Sequence, residues 1–144
     1  MKHVKLTTSL IALTTLTASA AFFVAQANTP ATDLAQGQAF GFKHFHKVEF
    51  ERDGRIEVDG WTDTHWYVEA EFGGNSVLKE QRERRISSAW GLTYEQLQQV
   101  MTLARESGLA TIEEVEVSQS GRIEVEGKTD AGFETEFNVM YQEL

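Results

Sequence analysis

No cysteine occurs among the 144 residues. That absence excludes disulfides, thiol nucleophiles, thiolate zinc sites and cysteine-held iron–sulfur clusters. The folded chain must be held by its core alone. Basic residues are scarce: 13 Lys and Arg face 22 Asp and Glu, a formal net charge of −9. Phosphate contacts need clustered Lys and Arg, so nucleic acid is a poor partner, and anionic membranes are disfavoured for the same reason. A basic peptide, a cationic ligand or a divalent metal suits such a charge. Catalytic signatures are missing as well. None of Ser76, Ser87, Ser88, Ser107, Ser118 and Ser120 sits in a Gly-x-Ser-x-Gly elbow. The acid pairs Glu57/Asp59, Glu69/Glu71, Glu124/Glu126 and Glu134/Glu136 have the i,i+2 spacing of a wet strand face, not of two acids flanking a cleft. No catalytic residue is assigned, no cofactor is expected, and the chain reads as a non-enzyme.

Long apolar runs are absent outside the N-terminus. There, Lys2 and Lys5 precede an apolar, Thr-rich run from Leu10 to Val24, and Ala25-Gln26-Ala27 supplies a small-x-small cleavage pattern. The run is short for a membrane span and broken by threonines. It predicts a secretory signal peptide over 1–27, cut after Ala27, and an exported chain, periplasmic or secreted, with no membrane insertion after cleavage. Loss of Lys2 and Lys5 leaves 11 bases against 22 acids, a net charge of −11. Residues 28–43 are small and polar, with the sole proline, Pro30, and Gly37 and Gly41; they predict a flexible leader. Residues 44–144 have the length of one domain.

What the chain does contain is a repeat. Residues 48–63 read VEFERDGRIEVDGWTD and residues 115–130 read VEVSQSGRIEVEGKTD, 67 positions later and without a gap. Period-two alternation runs through both copies, apolar on one side and acidic on the other, which is the pattern of antiparallel strands with one wet face. Asp53-Gly54 signals a two-residue hairpin. Between the copies, Thr93-Tyr94-Glu95-Gln96 is a capping box, and Leu97, Val100, Met101 and Ala104 follow at helical spacing up to Gly108. The predicted fold is α+β: an antiparallel sheet built from two repeated β-meanders (44–80 and 111–141), with one helix (93–107) packed on its apolar face. No helix is predicted ahead of the first copy.

Two sets of candidate binding residues stand out. The turn of the first copy carries Trp61, His65 and Tyr67, and strand parity turns Trp66 inward. One reading makes Trp61 and Tyr67 exposed aromatic anchors for a basic or extended peptide; the other makes Trp61 a cap on an edge of the core. His44-x-His46 puts two imidazoles on one side of an extended segment, the start of a candidate copper, nickel or zinc site completed by acidic residues.

The helix LTYEQLQQVMTLARESGL, followed by ATIEEVEVSQSGRIEVEGKTDAGFETEFNV, resembles a PepSY-type domain, and VEAEFGGNSVLKE (68–80) resembles the end of such a unit. The likeness covers most of residues 44–141. It implies a non-catalytic exported interaction module with a protein or peptide partner, inhibiting or regulating a peptidase or other envelope protein. It brings no active-site residues. The alternative function is a small periplasmic metal-binding protein using His44, His46 and acidic residues.

Overall fold

The computed structural model describes residues 30–144, so the segment read as a signal peptide lies outside the described residues. The chain forms an α+β fold of one open, seven-stranded antiparallel sheet and two α-helices. Helix α1 (Pro30–Phe40) leads into β1 (His44–Phe50), β2 (Arg55–Trp61), β3 (Trp66–Gly73) and β4 (Ser76–Arg84). Helix α2 (Tyr94–Glu106) leads into β5 (Thr111–Val117), β6 (Arg122–Lys128) and β7 (Glu134–Met140). The strand order is β4-β3-β2-β1-β5-β6-β7, so each run of consecutive strands zigzags outward from a central β1·β5 seam.

That seam is short. Lys47, Val48 and Glu49 pair with Glu116, Val115 and Glu114. Before them, Phe45 turns its backbone to Leu92 instead, exchanging two hydrogen bonds of 2.8 Å. Both β1 and β5 carry an irregularity at matching places, between Phe45 and Lys47 and between Ile112 and Glu114. Gly60 and Gly127 sit opposite these irregularities. A Cβ on Gly60 would strike the His44 carbonyl, and one on Gly127 would strike the Thr111 carbonyl. The tight turns match too. Glu51 N donates to the Arg55 carbonyl and Gly54 N to the Glu51 carbonyl; Ser118 and Gly121 repeat both bonds. Gly54 and Gly121 have φ of +82° and +85°. The Asp53-Gly54 turn is therefore a three-residue loop with a glycine bulge, rather than the two-residue hairpin expected, because the left-handed residue closes the turn from its last position.

One core holds the fold. Leu97, Val100, Met101 and Ala104 of α2 are buried in the same cluster as Val48, Ile56, Val58, Val115, Ile123 and Val125 of the sheet. The capping box forms: Gln96 N donates to Thr93 Oγ1 at 3.3 Å, and Thr93 N donates to Gln96 Oε1 at 2.9 Å.

The flexible leader expected over 28–43 is corrected. Most of it is α1, and Leu34 is fully buried in the core. Pro30 suits the first helical position, and Ala31, Ala35 and Ala39 favour helix. The helix closes with Phe42 N donating to the Gly37 carbonyl and Gly41 N to that of Gln38. Helix α2 ends in the same way, through Leu109 to Ala104 and Gly108 to Arg105. Gly37 belongs inside α1 because the Phe45 ring lies 3.1 Å from where its Cβ would be. The glycine lets helix and sheet come together; it does not mark a loop.

Candidate functional site: the acidic sheet face

Strand registry turns the scattered acid pairs into rows. On the face away from the core, Glu71, Glu57, Glu49, Glu114, Glu126 and Glu136 are directly opposite one another across β3, β2, β1, β5, β6 and β7. Lys79 on β4 ends the row. At ordinary strand spacing six such positions span about 24 Å. A second row beside it reads Gln81, Glu69, Asp59, Lys47, Glu116, Glu124 and Asn138. Like charges directly opposite on a sheet repel.

Few cations answer these acids. Lys47 bridges Glu49 at 3.1 Å and Glu114 at 3.2 Å. Burial works against its charge, but those two hydrogen-bonded carboxylates outweigh it and raise its pKa. Arg55 holds Glu71, and Arg122 reaches Glu124 at 2.8 Å and Glu136 at 3.2 Å. Among the described residues, Glu57, Asp59, Glu69 and Glu126 make no salt bridge. Asp59 is half-buried, and its Oδ1 has no hydrogen-bond partner. Desolvation, with Glu69 and Glu57 adding repulsion, pushes its carboxyl up to about 6. Glu114 is also raised, by burial first and then by Glu49 and Glu126, against the pull of Lys47.

The aromatic residues of the first turn lie at one end of this face. Strand parity does put Trp61 and Tyr67 on the acidic side, but they are not exposed anchors: Trp61 is 0% and Tyr67 4% accessible. Their rings meet edge to face at 5.5 Å. The segment after β4 covers them, with the Arg85 guanidinium 3.6 Å above the Tyr67 ring and Trp90 against His46 at 4.6 Å. Trp61 Nε1 is buried without a partner. Trp66, with inward parity, is 40% accessible because it stands at the start of β3 beyond the main core. His65 is exposed at the turn, beside Thr64 and with its amide donating to Asp63.

His44 and His46 have different surroundings. His46 Nδ1 and the Tyr67 hydroxyl are 2.6 Å apart, and Nε2 lies 3.8 Å from Glu116. Burial lowers the His46 pKa, with Glu116 opposing and Arg85 and Lys47 adding to the fall. Burial also raises that of Tyr67. A neutral imidazole accepting from a phenol that keeps its proton fits both shifts. His44 pairs with Trp61 across β1·β2, and its Nδ1 is buried without a partner. Among the described residues no group of three or more His, Asp or Glu is placed to hold a metal ion. His44 also lines a cavity of about 450 Å³ between Trp90, Tyr141 and the Ser118–Gly121 turn.

No protein-family model, curated protein or solved structure matches the chain. Among the described residues, no helix is long and apolar enough to cross a membrane. Sequence reasoning named several acid pairs of this face, without Glu114 and Glu116, and missed their alignment. The signal for it lay in the repeat: matched copies meeting at equivalent residues, Val48 against Val115, bring their acidic positions into line.

Proposed function

We propose that the chain is an exported, non-catalytic PepSY-like interaction module whose acidic sheet face takes a basic stretch of a peptidase or other envelope protein. The row of six glutamates carries this reading. The row is of one sign, two of its six members (Glu57 and Glu126) make no salt bridge among the described residues, and a Lys- or Arg-rich segment would relieve the repulsion that folding builds up there. The matching irregularities, turns and glycines at an offset of 67 residues support a duplicated β-meander, with α2 laid on the apolar side of the sheet. The likeness of residues 44–141 to PepSY-type units supports the regulatory role, and the N-terminal pattern supports export to the periplasm or beyond. The partner surface is the carboxylate rows, with Trp61 and Tyr67 as their buried support.

Fluorescence anisotropy with a labelled peptide of alternating Lys and Ala tests the reading, with an alternating Glu and Ala peptide as control. Binding of the Lys peptide should weaken steeply with added salt. It should also weaken several-fold in Glu57→Gln/Glu126→Gln, which removes two acids that make no salt bridge. Equal binding of both peptides, or an unchanged affinity in the double variant, would overturn it.

A further inference from the structure

The outer edge of β4 differs from the rest of this acidic molecule. All nine of its residues are exposed. With Lys79, Arg82 and Arg84 against Glu80 and Glu83, it is the only one of the seven strands with a net positive formal charge. An exposed edge of this length presents unpaired backbone donors and acceptors. Which residues present them follows from one bond. Arg85 N donates to the His65 carbonyl at 2.8 Å, and Glu83 and Gln81 lie directly opposite Tyr67 and Glu69. In an antiparallel ladder the inward and outward backbone groups alternate. Positions 79, 81 and 83 therefore turn toward β3, and positions 80, 82 and 84 turn outward.

From this edge we infer that the protein forms a symmetric dimer through β4, with a two-fold axis through Gln81 perpendicular to the sheet. That register places Glu80 opposite Arg82 of the second copy as a hydrogen-bonded pair. It also places Lys79 opposite Glu83 of the second copy as the closer, non-hydrogen-bonded pair. Symmetry doubles each, so four ion pairs of opposite sign line the join. Glu80 and Arg82 share the helix side, and Lys79 and Glu83 share the acidic side, so the pleats agree. In the single chain Arg82 folds back onto Glu80, and Arg85 onto Glu83 at 3.1 Å; the dimer re-partners these groups between strands. The same axis brings the exposed Val77 and Leu78 of one copy beside the exposed Ile86 of the other. The far edge offers no such match. β7 carries Glu134 and Glu136 and no base, so two β7 edges repel. Tyr141 N donates to the Gly121 carbonyl, so the outward groups of β7 belong to positions whose side chains lie on the acidic face. Joining β4 to β7 in antiparallel register would put the helices of successive copies on opposite sides, and joining them in parallel register would leave one β4 and one β7 edge free on every assembly, so neither join closes. Joining β4 to β4 keeps the helices together and makes one continuous acidic face.

Sedimentation velocity over a concentration series, on the purified protein, tests this. Wild type should show a monomer–dimer equilibrium. Lys79→Glu should weaken association about tenfold, because like charges then face each other at two symmetric places. Lys79→Glu/Glu83→Lys should restore it, since the swapped charges again oppose. Arg82→Pro should also favour monomer, because it removes only an outward N–H; near-UV circular dichroism checks that it folds, and the charge swap decides the matter where it does not. A monomer at every concentration, an undiminished dimer in Lys79→Glu, no recovery in the swapped variant, or open-ended polymers would each overturn the inference.

Discussion

Replacing Asp59 with asparagine measures the cost of half-burying a carboxylate among other acids. In the folded chain the Asp59 carboxyl holds its proton up to about 6, against an ordinary 3.8, because it is desolvated and faces Glu69 and Glu57. Between those two values the folded state binds more protons than the unfolded one. Stability contributed by this group is therefore present at low pH and is lost as pH rises through the window. A fully buried carboxylate shifted this far would cost about 3 kcal/mol at neutral pH. Asp59 is only half-buried, so solvent screening reduces the cost to about 1–2 kcal/mol. An asparagine side chain cannot ionise and keeps the shape. Asp59→Asn should stabilise the protein by about 1–2 kcal/mol at pH 7.5, and the gain should fade to near zero at pH 4, where wild type is largely protonated at this position. Urea unfolding at the two pH values measures both numbers. A variant no more stable than wild type at pH 7.5, or a gain of the same size at pH 4, would refute the reasoning.

Packing and backbone geometry set three further outcomes. Trp61→Ala should cost about 3–5 kcal/mol in urea unfolding, because the ring is fully buried; a cost below about 1 kcal/mol would mean the side chain lies on the surface. Gly60→Ala and Gly127→Ala should each destabilise by at least about 1–3 kcal/mol, since each added methyl meets a backbone carbonyl that cannot move aside; thermal melts that match wild type would contradict the close approach. Thr93→Ala should cost about 1 kcal/mol by removing the cap of α2, and an unchanged urea midpoint would deny that cap any energetic role.

The strands were legible because their alternation is local. Val48, Ile56, Val58, Val115, Ile123 and Val125 all point into the core, as period two requires. The α2 boundaries were legible because Thr93, Gln96 and Gly108 are local punctuation. Helix α1 was not, because Gly37 reads as a break until the Phe45 ring beside it is seen. Of the two readings of Trp61 the buried one holds, whereas the exposure expected of Tyr67 was misjudged for a different reason. Parity placed them on the correct face, but Arg85 and Trp90, which cover that end, come from a distant segment whose path no local pattern prints. The glutamate row was likewise hidden. Each acid pair is visible in one strand, whereas their alignment depends on the pairing of β1 with β5, residues far apart in the chain.

The brevity of that pairing has a mechanical meaning. Within each half, neighbouring strands share six to eight residue pairs, while the halves share three. A crack opening through the molecule should therefore start between Val48 and Val115 and leave two smaller cooperative blocks. In hydrogen exchange, amides bridging that line should lose protection before those inside either block.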